Sequence, residues 1–286
     1  MKYSVTTYSF SQLISAGKLT QLDAVAVAAQ IGFDGIEFTE LKPCDKPTLE
    51  QQLAYAKAIR EQARVHGIEI VAYLIGADLC SDDGKEVERV KGQLDVAYAL
   101  GAKMLRHDVC GSEKRGNRTV SFEQMLPTIA KNAREITEYA STLGIRTMTE
   151  NHGLVVQDSD RVERLYNAVA HPNYGLLVDI GNFACVDEDS VTAVSRLAPY
   201  AIHVHVKDFK KYSFGIPTPD GQKAITTRGC NKLIGCAIGD GDIPVSQCLS
   251  IIKRTAYDAY LTVEFEGPND CLCEIRRGLD YLKENT

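Results

Sequence analysis

Four times between residues 32 and 150 an amphipathic stretch ends on glycine and a short apolar run follows at once. The runs are Gly32-Phe33-Asp34-Gly35-Ile36-Glu37-Phe38, Gly67-Ile68-Glu69-Ile70-Val71-Ala72-Tyr73, Gly101-Ala102-Lys103-Met104-Leu105-Arg106 and Gly144-Ile145-Arg146-Thr147-Met148-Thr149-Glu150. Glycine just past a helix takes the left-handed conformation that ends it, and the β-prone run behind it reads as the next strand. The four glycines are 35, 34 and 43 residues apart, the spacing of a βα repeat with loops of unequal length.

Extending the pattern predicts strands near residues 2–8, 34–39, 68–75, 103–109, 145–150, 174–180, 201–206 and 259–266, with helical periodicity between them, as from Val120 to Leu143 and from Asp242 to Thr255. Eight alternating units imply a parallel sheet that can close, so the expected fold is an α/β (β/α)8 TIM barrel, one domain spanning residues 1–286. An open doubly wound sheet usually carries a glycine-rich phosphate turn after its first strand; here Tyr8-Ser9-Phe10-Ser11 stands there instead. One connection breaks the rhythm. From Asp208 to about Gly241, after strand seven, the chain is rich in Gly and Pro with little periodicity and reads as a long loop over the strand C-terminal face.

The formal net charge of −6, with no run of Lys and Arg, argues against a nucleic-acid partner. The start of the chain passes into polar sequence and no stretch has the length of a membrane span, so a cytoplasmic protein with no membrane partner is expected. Nine scattered cysteines without a CxxC pair read as reduced thiols, Cys271 and Cys273 among them.

Ionisable residues stand where strands five to eight end: Glu150 after Thr147-Met148-Thr149, Asp179 after Leu176-Leu177-Val178, His205 after Ile202-His203-Val204, and Glu264 after Leu261-Thr262-Val263. A single strand-end carboxylate commonly caps the next helix, and a lone histidine is commonly structural. A closed barrel gathers all four at one mouth. Three carboxylates there repel one another unless a cation intervenes. Three oxygen donors and one imidazole suit one divalent ion with open positions, Mn2+ by preference, with Mg2+, Co2+, Zn2+ or Fe2+ as alternatives.

Glu150-Asn151-His152, Val178-Asp179-Ile180-Gly181-Asn182-Phe183, His203-Val204-His205-Val206-Lys207-Asp208, Gly239-Asp240-Gly241-Asp242-Ile243 and Val263-Glu264-Phe265-Glu266-Gly267 together resemble the xylose isomerase-like barrels. That superfamily includes sugar phosphate isomerases/epimerases, ketose 3-epimerases, inosose dehydratases and endonuclease IV. The resemblance implies that Glu150, Asp179, His205 and Glu264 are metal ligands and that Glu150 and Glu264 are also the catalytic acid/base pair. It implies an isomerase or epimerase of carbohydrate metabolism, moving a proton next to the carbonyl of a small sugar or cyclitol through a metal-stabilised enediolate. Expelling a β-hydroxyl from the same intermediate would make the protein a lyase of the inosose or dehydroshikimate dehydratase type. An endonuclease IV activity requires more histidines, one of them where Asn182 stands.

His152, Asn182, Lys207, Arg228 and His107 are the candidates for substrate contacts from the loops, each with a plain reading as a solvated residue or local cap. His203 shares a face with His205, and Glu266 with Glu264, by the period of two. Tyr8 and Phe10 are expected as an apolar wall. Gly239-Asp240-Gly241 invites a phosphate-cradle reading, which its own aspartates oppose. Barrels commonly pair, so a homo-oligomer is compatible with the fold.

Overall fold

The computed structural model describes residues Met1–Thr286. Its eight principal strands are β1 (Lys2–Thr6), β2 (Gly35–Thr39), β3 (Glu69–Ile75), β4 (Met104–His107), β5 (Arg146–Glu150), β6 (Tyr174–Asp179), β7 (Ala201–Val206) and β8 (Tyr260–Val263). Every neighbour is parallel, and the sheet closes where β1 meets β8 in the register Lys2↔Tyr260 to Val5↔Val263. The barrel expected from the repeat is therefore the fold. The helices that follow the strands are α1 (Gln21–Ile31), α2 (Leu49–His66), α3 (Lys85–Leu100), α4 (Phe122–Thr142), α5 (Ser159–Val169), α6 (Ser190–Leu197), α7 (Val245–Arg254) and α8 (Cys271–Asn285).

Local chemistry explains the boundaries. Thr20 and Asp23 form a capping box on α1, Thr48 and Gln51 on α2, and Ser121 and Gln124 on α4, so the first amides of each helix are satisfied by side chains. Gly32, Gly67, Gly101 and Gly144 sit at φ of 102°, 66°, 88° and 69°, a region side chains avoid, and each releases the chain from a helix into a strand. No helix is long and apolar enough to cross a membrane.

Two apolar clusters divide the interior unequally. The large one joins the outer strand faces to the helices; the one inside the barrel holds only Val71, Ala72, Leu74, Met148 and Leu177. Barrel interiors are ordinarily filled with layers of branched apolar side chains. Here Ser4, Thr6, Glu37, Arg106, Thr262, His203 and His205 are buried in their place. Polar filling of this kind is costly unless it is hydrogen-bonded, and it marks the C-terminal half of the barrel as built for chemistry.

The connection after β7 differs from expectation. Instead of an irregular loop it folds a three-stranded antiparallel sheet from Asp208–Tyr212, Ile225–Thr226 and Lys232–Cys236. One of its strands is only two residues long and its first pairs across the Gly- and Pro-rich segment, so no repeat is readable. Asp208 anchors its base: Oδ2 accepts from the Gly239 and Gly241 amides at 3.0 and 2.9 Å, and Oδ1 from Ile243 at 3.1 Å. The glycine segment is thus a cradle for an internal carboxylate, which disposes of the phosphate reading. All nine cysteines are unpaired; Cys271 is buried whereas Cys273 is exposed.

Candidate metal centre

Period-two alternation carries one group from each of β5 to β8 into the mouth of the barrel. Glu150 is the last residue of β5, Asp179 the last of β6, His205 lies one before the end of β7, and Glu264 follows β8. Each offers one donor atom, and those four atoms lie within 4.8 Å of one another. The four strand-end groups named from sequence therefore converge.

Their surroundings explain how carboxylates tolerate such proximity. Glu150 Oε1 accepts from Asn182 Nδ2 at 2.7 Å, and Oε2 pairs with Arg106 Nη2 at 2.7 Å. Asp179 Oδ1 accepts from the Gly181 and Asn182 amides at 2.8 and 3.0 Å. Glu264 Oε2 lies 2.5 Å from His205 Nδ1, and Oε1 accepts from Lys207 Nζ at 3.0 Å. Lys207 also lies 3.4 Å from Asp179 Oδ2 and 3.5 Å from Glu266 Oε2. Its stem crosses Gly181, where a Cβ would stand 2.5 Å from Lys207 Cγ, so glycine is required for the lysine to reach in.

The residual imbalance sits on Asp179. Burial, reinforced by the Glu264 and Glu150 charges and opposed by Lys207, pushes its carboxyl up to about 7. Burial also opposes ionisation of Glu264, yet Lys207 and His205 outweigh it and hold that carboxyl well below the usual range. Burial works against a charged His205 ring, but Glu37 and Glu264 raise it well above the ordinary value. Asp179 Oδ2 has no hydrogen-bond partner. A buried carboxylate oxygen with no hydrogen bond, only the Lys207 ammonium at 3.4 Å, and facing two more carboxylates and an imidazole, fits a divalent cation.

The centre opens into a cavity of about 570 Å3, the size range of small-molecule sites. Glu150, Glu264, Arg106, His152, Asn182 and Lys207 are among its walls. Ile225 and Thr226 of the added sheet also line it, so that sheet covers part of the mouth. His152 stands at the rim with 48% of its side chain exposed, and its Nδ1 is 2.9 Å from Asp108 Oδ1. Partial enclosure lowers the imidazole's affinity for a proton, but the Asp108 hydrogen bond reverses this and the ring titrates above its ordinary value.

Two of the substrate-contact candidates fall outside the cavity walls. His107 is fully buried, because alternation along β4 sends Arg106 inward and His107 outward; its Nδ1 is 2.9 Å from the Asp108 carbonyl. Arg228 pairs with Asp158 at 3.0 Å and donates to the Leu154 carbonyl, tying the added sheet to the loop after β5. Tyr8 lines the cavity, but as a polar group: its hydroxyl donates to Glu266 Oε1 at 2.9 Å. Phe10 is core.

Arg106, Asp108 and Glu37 were not singled out from sequence. A charge within an apolar strand whose two faces are both covered was the available signal for Arg106, in Met104-Leu105-Arg106, and for Glu37, in Gly35-Ile36-Glu37-Phe38.

Residues 25–285 match the family model described as the xylose isomerase-like TIM barrel. The chain belongs to that family. Among curated proteins, this xylose isomerase-like barrel is 23% identical to an inosose dehydratase of Clostridium perfringens, over 92% of its own length and 89% of the relative's. Among solved structures it resembles the IolI protein with a bound zinc atom, at a TM-score of 0.76 and 16% identity over 100% of this chain and 99% of that one. It also resembles the D-allulose 3-epimerase of Methylomonas sp., at a TM-score of 0.74 and 16% identity over 100% and 98%. Members of this one fold family thus carry the names of dehydratases and epimerases alike.

Proposed function

We propose that the protein is a divalent-metal-dependent enzyme that removes a proton next to the carbonyl of a neutral keto-polyol or keto-cyclitol and expels the β-hydroxyl as water. The observation that carries this reading is the His152–Asp108 pair at the rim, a positioned proton donor beside a cavity already walled by carboxylates. An epimerase needs no such donor for a leaving group; an elimination does. The name of the Clostridium perfringens relative points the same way.

Glu150, Asp179, His205 and Glu264 are the residues that would hold the cation, which when bound would supply Lewis-acid polarisation of the substrate carbonyl. Glu264, kept ionised by Lys207 and His205, accepts the α-proton. His152 gives its proton to the departing hydroxyl, and Asp108 stabilises the ring while it is charged. Arg106 bridges Glu150 and Asp108 at 2.7 and 2.9 Å and fixes the wall between acid and cation site. Lys207, Arg106 and His152 are each already paired with carboxylates, so no cationic side chain of the cavity is free to hold a phosphate or carboxylate. This pairing supports a neutral substrate.

A second reading, epimerisation or aldose-ketose isomerisation, is favoured by the positions of Glu150 and Glu264. They lie three strands apart around the barrel and both line the cavity, so they approach a substrate from different sides.

Incubating the purified protein with Mn2+ and a panel of ketoses and keto-cyclitols in deuterated water separates these readings. Loss of one water from a substrate supports the lyase; deuterium incorporation with retained hydroxyls and inverted stereochemistry supports the epimerase. For the lyase, His152→Asn is expected to slow water loss about 100-fold while α-proton exchange continues, and Glu264→Gln to stop both. Equal loss of exchange and elimination in His152→Asn would remove the proposed acid role.

A further inference from the structure

Beneath the strand-end groups lies a second polar layer that the proposed reaction does not use. Glu37 on β2 is fully buried. Its Oε1 accepts from Thr262 Oγ1 and His203 Nε2, and its Oε2 accepts from His205 Nε2 at 2.8 Å. Thr262 Oγ1 is in turn 2.6 Å from Ser4 Oγ and 3.0 Å from His203 Nε2. Glu37, His203 and Thr262 are all absent from the cavity wall. A carboxylate in so dry a place is costly, and packing alone would be served better by an apolar side chain.

The arrangement determines which way His205 faces. With Nε2 donating to Glu37, the remaining nitrogen, Nδ1, points to Glu264 Oε2 at 2.5 Å and so into the cluster of candidate ligands. Free imidazole chooses between two tautomers, and a hydrogen bond to one nitrogen decides which lone pair is offered. Donor atoms of Glu37, His203 and His205 also lie within 4.8 Å of one another. A cation among those three would have to displace the hydrogen bonds just described, at a place closed off from the cavity.

We infer that Glu37 is a positioning residue that locks His205 as the Nε2–H tautomer and presents Nδ1 to a divalent cation, an inference that rests on the metal reading of the site. Thr262 and His203 hold the Glu37 carboxylate in place, and Ser4 supports Thr262. Carboxylates behind ligating histidines typically contribute 10–100-fold to metal affinity.

Titrating the purified full chain with Co2+, read by calorimetry and by the visible absorption of the ion, tests the inference. Glu37→Gln keeps the size of the side chain, and it is expected to weaken Co2+ binding by about 10–100-fold and shift the absorption bands. Unchanged affinity and bands in a folded Glu37→Gln overturn the positioning role while leaving the metal site standing. Failure of the wild-type chain to bind Co2+ overturns the metal reading and this inference with it. Should Glu37→Gln not fold, long-range proton–nitrogen correlation spectra of the Zn2+-loaded wild type, labelled at histidine nitrogen, give the answer directly. An Nε2–H signal with a metal-shifted Nδ1 is expected for His205, and an Nδ1–H tautomer overturns the proposal.

Discussion

Arg106 shows how much of this site depends on single side chains facing inward. Its guanidinium lies 2.7 Å from Glu150 and 2.9 Å from Asp108, with only 9% of the side chain exposed and Glu150 at 4%. Removing one partner of a buried pair leaves the other charge desolvated and unmatched, which typically costs about 3–5 kcal/mol. Arg106→Met is therefore expected to destabilise the protein by roughly that amount in urea unfolding, and Arg106→Lys by less, since it keeps the charge but not the planar fork. A loss below about 1 kcal/mol for Arg106→Met would mean that the pair behaves as a solvated surface contact. The strand ends Glu150, Asp179, His205 and Glu264 were readable because each stands at the end of a short β-prone run in its own strand. Arg106 and Glu37 take their meaning from partners on other strands: Glu37 meets His203 and His205 only after barrel closure brings together residues 166 and 168 apart. Local pattern carries no record of such partners.

The same distinction holds for the elements. Helices α1 to α4 are each closed by a left-handed glycine and the remaining strands follow helical stretches as short β-prone runs, so all eight barrel strands were legible. The added sheet over the mouth was not, because its first strand pairs across a long intervening segment, its second is two residues long and its anchor is one carboxylate. Asp208 gathers the amides of Phe209, Gly239, Gly241 and Ile243. A Cβ at position 241 would fall 1.9 Å from Asp208 Oδ1, so nothing larger than glycine fits without opening that cradle. Gly241→Ala is expected to destabilise the protein by about 1–3 kcal/mol, the usual range for forced overpacking. Hydrogen exchange should show the loss concentrated in Asp208–Tyr212 and Lys232–Cys236, with β1 to β6 still protected. A uniform loss of protection across the barrel would show that the sheet is no separate unit.

At the scale of the whole molecule, stability is linked to pH through a residue outside the cavity wall. His107 is wholly buried between barrel and helices, and its Nε2 has no hydrogen-bond partner. Burial pulls the imidazole down to about 4, and the neighbouring Asp108 carbonyl only partly opposes this. In the unfolded chain the same ring titrates near 6.5. Above that pH both states carry a neutral ring and the residue contributes nothing to the pH dependence. Between about 6.5 and 4 the unfolded chain binds a proton that the folded chain does not, so stability must fall as the solution is acidified. The limiting slope is about 1.4 kcal/mol per pH unit, which puts the loss on the order of 2 kcal/mol by pH 5. His107→Leu removes the titrating group while filling the same apolar space. Urea unfolding of both proteins at pH 7 and pH 5 should therefore show the wild type losing about 2 kcal/mol more than the variant. Carboxylate titrations elsewhere affect the two chains alike and cancel in the difference. Parallel losses in wild type and variant would show that His107 is protonated within the fold, and its buried setting would then have to be satisfied by a partner on a neighbouring helix.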